Sequence, residues 1–368
     1  TSGEDSPSFA TSLNNLALLY FSMGNYADAE PLLCQTMEIR LKALGKDHPD
    51  VALSLNNLGA LYDRMGNYAD AEPLLRQAIE IRRKTLGEDH PDFAQSLHNL
   101  GVLHKSMGNY TEAELLFRQT IEIIRKILGE DHPDFAQSLN NLAELYVATR
   151  REKEALTLMI KSASIDDRMI GQVFSIGSES QRMAYLKKVS VNFELFVSLV
   201  SQYLSASPAA IHSAFELVMR RKAIGAEALA AQRDAILGGK YPGLEPKLKE
   251  LKALAMQIAQ KALAGPGPEG LEAHQELLSQ WQSRKEQIEA ELAKQIPEMN
   301  LEQKLKGVDR QAISSALPDG VALMEFVRFD VFDFKAIPAN GESQWKPARY
   351  LAFVMPFGDP DNVKMIDL

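Results

Sequence analysis

Apolar positions in the first 168 residues fall at helical spacing, in blocks that return every 42 residues. Leu16, Leu58, Leu100 and Leu142 are each followed by a small residue, Ala17, Gly59, Gly101 and Ala143. Polar and breaker residues keep the same period. Met-Gly-Asn-Tyr stands at Met23–Tyr26, Met65–Tyr68 and Met107–Tyr110, and His-Pro-Asp at His48–Asp50, His90–Asp92 and His132–Asp134. Each unit predicts a helical hairpin. Pro49, Pro91 and Pro133 suit a first helical turn, the Asp after each favours the positive helix end, and Gly24, Gly66 and Gly108 stop the first helix. The small residues, with Ala29, Ala71, Ala113 and Ala155 on the second helix, let paired helices approach, and the leucines fill the seam. One hairpin cannot bury its apolar face alone, so the units stack into a superhelix with a concave wall. A fourth unit, Asp134 to Arg168, replaces Gly-Asn-Tyr with Arg150, Arg151 and Glu152, as a terminal repeat does.

Over residues 1–168 this pattern resembles the tetratricopeptide repeat, and the 42-residue unit resembles its kinesin light chain variety. The resemblance implies a groove for peptides, lined by the first helix of each hairpin. On that helix one face carries Asn14, Asn56, His98 and Asn140, then Leu18, Ala60, Val102 and Glu144, and a turn further Phe21, Asp63 with Arg64, and Lys105. A column of carboxamides offers donor and acceptor to an extended backbone. Capping or cross-linking of neighbouring hairpins is the competing reading, and it is the preferred one for Asn15, Asn57, Asn99 and Asn141. Residues 3–10 align with 45–52, and the chain opens on Thr1 and stops just after an apolar run, so we expect a piece of a longer protein with upstream repeats.

Beyond the repeats the period is lost and helix persists. Helices are expected over 178–205, 209–237, 244–264 and 269–295, broken at Ser207–Pro208, Gly238–Gly239 and Gly265–Pro268. The last two read as an antiparallel, coiled-coil-like hairpin. Short apolar runs at 321–329, 349–356 and 363–368 read as strands. The expected fold is mainly α: a solenoid over 1–168, a helical bridge over 169–310, and an incomplete sheet over 311–368. The phrase FELVMRRKAIGAEALAAQRDAIL, then LPDGVALMEFVRFDVFDFKA, WKPARYLAFVMP and NVKMIDL resembles the approach to a CHAT domain, a caspase-like group of cysteine peptidases. The resemblance implies a caspase-like α/β sheet and a His/Cys dyad. After Ala210 there are only His212 and His274 and no cysteine, so a dyad would lie beyond Leu368 and residues 1–368 carry no catalytic residue.

Composition narrows the classes. The chain of 368 residues is 45% apolar and 24% charged. It lacks the roughly 20 consecutive apolar residues of a membrane span and a secretory leader. A lone Cys34 fits a reducing cytoplasmic setting. The first 168 residues hold 17 Lys/Arg against 25 Asp/Glu, which argues against a nucleic-acid surface. The repeated His residues read as loop architecture rather than metal ligands, and no cofactor motif is present. Arg220, Arg221 and Lys222 with Arg233 form the sharpest polar cluster of the second half. It could hold an acidic partner segment, pin a C-terminal sheet domain within the molecule, or be a solvated face. Three functions stay open: the recognition region of a caspase-like peptidase, a plain peptide-binding adaptor, and a small-molecule sensor.

Overall fold

Proline opens the first helix of every hairpin: α1 (Pro7–Ser22), α3 (Pro49–Arg64), α5 (Pro91–Ser106) and α7 (Pro133–Ala148). At that position its missing N–H has no helical partner to lose. The residue before it caps the helix. Ser6 Oγ accepts from the Phe9 N–H at 3.2 Å, and His48, His90 and His132 accept through Nδ1 from the N–H of Asp50, Asp92 and Asp134 at 3.1 Å each. The His-Pro-Asp motif is thus a helix start. The second helices are α2 (Tyr26–Leu44), α4 (Tyr68–Thr85), α6 (Tyr110–Leu128) and α8 (Glu152–Ile176). Between the two helices the chain reverses at Gly24, Gly66 and Gly108, with φ of +74°, +78° and +78°. Arg150 takes this place in the fourth hairpin at φ +60°, a conformation that costs an L residue about 1–2 kcal/mol.

The computed structural model of the chain describes residues 3, 5–176, 178–237, 242–264, 270–295, 308–337 and 340–368. Contacts divide it into two compact units, Thr1–Ser162 with Asp330–Pro347, and Ala163–Phe329 with Ala348–Leu368. Within a hairpin, the small residues are needed sterically. A Cβ added at Gly59 would lie 2.7 Å from Leu75 Cγ, and one at Gly101 would lie 2.9 Å from Phe117 Cε1. Between hairpins, Leu58 and Leu61 of α3 bury against Leu33 of α2, and Leu97, Leu100 and Leu103 of α5 against Leu75 of α4. Each such leucine contributes roughly 1.5–3 kcal/mol. The pattern placed Leu16 in this seam too, but it is 42% exposed against 3–4% for Leu58, Leu100 and Leu142. Among the described residues no second helix precedes α1 to cover it.

Two of the junctions also bury a guanidinium. Arg40 Nη1 donates to Asp50 O at 3.3 Å and Ser54 Oγ at 3.0 Å, and Arg82 Nη1 donates to Asp92 O and Ser96 Oγ at 2.7 Å each. Both side chains are buried, and burial pushes both guanidinium pKa values down. At the third junction the equivalent residue is Ile124, also buried.

The second unit contains α9 (Glu179–Tyr203), α10 (Pro208–Leu237), α11 (Glu245–Ala264), α12 (Gly270–Gln295) and a short α13 (Arg310–Ala316) that the sequence pattern did not announce. The links at Gly238–Gly239 and Gly265–Pro268 lie outside the described residues. Helices α11 and α12 pack antiparallel, with Leu251, Leu254, Ile288 and Leu292 between them and Lys247–Glu291 and Arg284–Glu250 pairs at 2.7 and 2.8 Å. Helix α8 runs unbroken through residue 168, where the array was expected to end. Strands β1 (Ala322–Phe332), β2 (Trp345–Pro356) and β3 (Lys364–Asp367) lie in that order, with β2 antiparallel to β3 and Phe353 opposite Met365. Val327, Phe329, Leu351, Phe353 and Met355 are buried, and Phe353 meets Phe215 of α10 at 6.0 Å between ring centroids.

Arg82→Ala is expected to lower the unfolding free energy by about 2–4 kcal/mol, since it leaves a cavity and strips Ser96 and the Asp92 carbonyl of their donor. Arg82→Ile copies the third junction and is expected to cost less than half as much, read from urea midpoints at constant slope.

Candidate functional site

First helices meet one another from hairpin to hairpin, α3 against α5 and, through side-chain contacts, α1 against α3 and α5 against α7, so they form one continuous wall of the array, called the inner wall below. The contacts are polar. Asn57 Nδ2 of α3 donates to Asn14 Oδ1 of α1 at 2.9 Å, and Asn141 Nδ2 of α7 approaches His98 Nδ1 of α5 at 3.4 Å. Along α5 and α7 the ladder continues: Gln95 Nε2 donates to Asn99 Oδ1 at 3.0 Å and Gln137 Nε2 to Asn141 Oδ1 at 3.2 Å. The reason lies in helix geometry. Two residues one position apart differ by about 100° around the axis, so one column faces the neighbouring helix and the next faces out.

The expected groove residues therefore divide. Asn14, Asn56, Asn140 and Asp63 are buried, Asn140 at only 1% exposure. Asn56 Oδ1, Asp63 Oδ1 and Asn140 Nδ2 have no hydrogen-bond partner among the described residues. Leu18 is exposed, and Ala60, Arg64, Val102, Lys105 and Glu144 are half-buried. Asn15 is exposed, and Asn57, Asn99 and Asn141 are half-buried beside them. Gln95 and Gln137, both exposed, were not singled out from the sequence. Their signal was available: each lies four residues before an Asn of the ladder.

One charge pair on this wall is matched between repeats. Lys105 Nζ donates to Glu144 at 2.8 Å across two repeats. Asp63 is pushed up by burial, against the pull of Ser106, Arg64 and Lys105. His98 is pushed down to about 4, by burial first and then by Lys105 and Arg64, with Glu144 opposing. Its ring lies 5.6 Å from that of Phe117. The neutral imidazole is the form this site accepts.

In the second unit the basic cluster is engaged within the fold. Arg220 Nε donates to Asp167 at 2.8 Å, and Arg221 Nη2 lies 3.2 Å from Asp167 and 3.9 Å from Asp166. Lys222 pairs with Glu325 of β1 and donates to Phe326 O at 2.6 Å. The side chain of Arg233 lies outside the described residues. Asp166 is buried and pushed up to about 6, while Asn192 Nδ2 donates to it at 2.9 Å. Burial likewise pushes the Cys34 thiol up, away from thiolate reactivity. Among the described residues no group of His, Cys, Asp and Glu is placed to hold a metal, and no helix is long and apolar enough to cross a membrane.

Stacked 42-residue hairpins with a continuous inner wall define a helical repeat array. Residues 8–84, 64–126 and 92–168 match the tetratricopeptide repeat model, so this part of the chain is a tetratricopeptide array. No curated protein matches the chain. Among solved structures it is similar to a kinesin light chain candidate of Podosopora anserina built of nearly identical tetratricopeptide-like repeats. That match has 28% identity, a TM-score of 0.42, and covers 60% of this chain and 97% of the other. A point variant of that protein matches at 26% identity and TM-score 0.44, covering 62% and 100%. BtubC (BKLC) of P. vanneervenii matches at 22% identity and TM-score 0.42, covering 60% and 81%.

The His98 environment sets a pH dependence. Folded His98 titrates near 4 and the unfolded imidazole near 6.5, so between these values the unfolded chain binds the extra proton. Its contribution is present above pH 6.5 and lost as the pH falls through 4. Asp166 acts oppositely: its contribution is present below 3.8 and lost as the pH rises through 6. The difference between wild type and His98→Asn isolates the histidine. That difference is expected to grow by about 1–3 kcal/mol from pH 7 to pH 4 in favour of the variant, measured by urea unfolding.

Proposed function

We propose that the array is a protein-binding scaffold whose receptor surface is the inner wall of α1, α3, α5 and α7. The observation that supports this most is the amide ladder at one position of four consecutive first helices, Asn15, Asn57, Asn99 and Asn141, extended by Gln95 and Gln137. Each carboxamide has two donor hydrogens and two acceptor sites, and the ladder bonds use only part of this capacity. The remainder suits the alternating N–H and C=O groups of an extended peptide. Leu18, Ala60 and Val102 lie beside the ladder, where a partner's apolar side chains would rest, and Arg64, Lys105 and Glu144 add charge at the far end. In this reading the buried Asn14, Asn56, Asn140 and Asp63 hold the wall in place behind the ladder, and His98 does so in the third hairpin.

The reading is tested with the full chain as target in a display selection of random extended peptides, followed by calorimetric titration of the enriched sequences. Gln95→Ala with Asn99→Ala, which touches no contact between hairpins, is expected to weaken binding at least tenfold, about 1.4 kcal/mol, at unchanged thermal stability. Asn56→Ala is expected to lower stability instead. Equal dissociation constants for wild type and the ladder variant would remove the inner wall as the receptor.

A finer reading extends this to a regulatory role: residues 210–368 open a caspase-like CHAT domain, and the array recruits its substrate or activator. Its support is the order of elements, a long α10, the α11–α12 hairpin, then three strands with α10 against the sheet. The expected location of a His/Cys dyad is outside residues 1–368, so this chain by itself is expected to turn over no peptide substrate. Cysteine-dependent cleavage of a peptide panel by residues 1–368 would contradict that placement.

A further inference from the structure

We infer that the meeting point of α8, α9 and α10 in the second unit is a proton-sensitive latch, closed while Asp166 is neutral and loosened once that side chain is charged. Asp166 is 1% exposed and stands one helical turn before Ile170, which forms an apolar cluster with Phe174 and Val189. A carboxylate there has lost its water and depends on what the three helices offer. From α9, Asn192 Nδ2 donates to Asp166 Oδ2 at 2.9 Å, and Tyr185 and Lys188 lie within electrostatic reach. From α10 comes Arg221 Nη2, 3.9 Å from Asp166 Oδ2. That same nitrogen lies 3.2 Å from Oδ1 of Asp167, the next residue of α8, whose Oδ2 accepts from Arg220 Nε at 2.8 Å.

Two carboxylates therefore compete for one guanidinium nitrogen, and Asp167 is the nearer of them. Charge on Asp166 is met only by drawing Arg221 from Asp167 or by letting water in. The cluster has little in reserve against either. Asn192 Oδ1, Tyr185 OH, and Arg221 Nε and Nη1 are buried without a hydrogen-bond partner among the described residues. A half-satisfied buried network is costly to keep closed. Burial first, and the Asp167 charge with it, push the Asp166 carboxyl up to about 6, against the pull of Asn192, Arg221 and Lys188. The closed junction thus favours the neutral acid. Its contribution is complete below 3.8 and is lost as the pH rises through 6.

Toward the sheet, α10 is held differently. Glu216 meets Arg310 of α13 at 3.0 Å, Lys222 pairs with Glu325 of β1, and the Phe215 ring lies against that of Phe353. The latch therefore opens between α10 and the α8–α9 pair, and α10 stays with the sheet. This stands whether or not the inner wall of the array receives peptides.

The test follows amide hydrogen exchange of the full chain between pH 5 and pH 8, with each rate divided by the intrinsic rate at that pH. Opening of α9 and of residues 208–222 is expected to rise about tenfold across this range, as a carboxyl titrating near 6 when closed and near 3.8 when open requires. Asp166→Asn is expected to remove the rise. Asn192→Ala takes away the donor that favours the charged form, so it is expected to move the midpoint of the rise upward. An asparagine with a structural role alone would change the level of protection and leave the midpoint in place. A flat wild-type profile overturns the latch, and so does an equal rise in Asp166→Asn. Should Asp166→Asn fail to fold, an unmoved or lowered midpoint in Asn192→Ala overturns it as well.

Discussion

A pair of helices joined by a short turn has two apolar faces and can satisfy only one by folding on itself. Everything in the first 162 residues follows from how the second face is covered. Each second helix offers Leu33 or its equivalent to the first helix of the next hairpin, where leucines reach zero exposure. Hydrophobic burial of this kind is non-directional. Register therefore has to come from something else. The buried Arg40 and Arg82 supply it at two junctions, because a guanidinium committed to a serine hydroxyl and a backbone carbonyl tolerates no slip of one turn. Tyr62–Glu30 and Tyr146–Glu114 add a second polar pin at the first and third. No junction lacks a pin, and no two carry the same set.

The inner wall inherits its character from this stacking. Close approach of successive first helices takes one column of residues out of water, and a column that is buried yet polar must find partners. Asn14 finds Asn57, and His98 finds Asn141. The column one residue on then keeps part of its hydrogen-bonding capacity facing water. The array thus presents amides externally, at a spacing set by the hairpin stack, while Asn56 Oδ1 and Asn140 Nδ2 behind them have no partner among the described residues. That is why buried and accessible amides are not separable here by residue type, only by position: Asn56 and Asn57 are neighbours in sequence, and only the second is accessible.

The hairpins, their turns and their helix starts were legible because each rests on local rules repeated three or four times: proline at the first position, glycine at positive φ, a small residue where helices cross. What the pattern could not give was phase at the level of a single residue. Period 42 says that Asn14 and Asn15 both recur; it does not say which of them meets a neighbour, since that depends on how hairpins rotate against each other. Arg40 and Arg82 were hidden for a related reason. An arginine in an exposed-looking charged helix reads as solvated, and only the next hairpin, bringing Ser54 or Ser96, shows it to be buried. Leu16 failed in the opposite sense, as a residue of core type at a core position whose cover is absent from the described residues.

The second unit shows how far local reading extends without repetition. Strand positions came from apolar runs bounded by turns, and their ends moved by several residues because pairing, not composition, decides where a strand stops. The basic run at Arg220–Lys222 allowed an acidic partner, a pin to the sheet or a solvated face, and named no partner residue. Its partners lie 53 residues back at Asp167 and 103 residues forward at Glu325. Such pairs are cheap to read once placed and unreadable before, since an ion pair has no sequence period. Their arrangement has a consequence, however. Asp166 and Asp167 are adjacent carboxylates facing two arginines between α8 and α10, and Asp167 holds the shorter contacts to both. Asp166 is left with the Asn192 amide and an arginine at 3.9 Å, and burial lifts its pKa to about 6 against that weaker pull. A buried acid keeps its charge only where a cation comes close enough to replace the lost water. One residue of helical offset is therefore enough to give two neighbouring aspartates different surroundings.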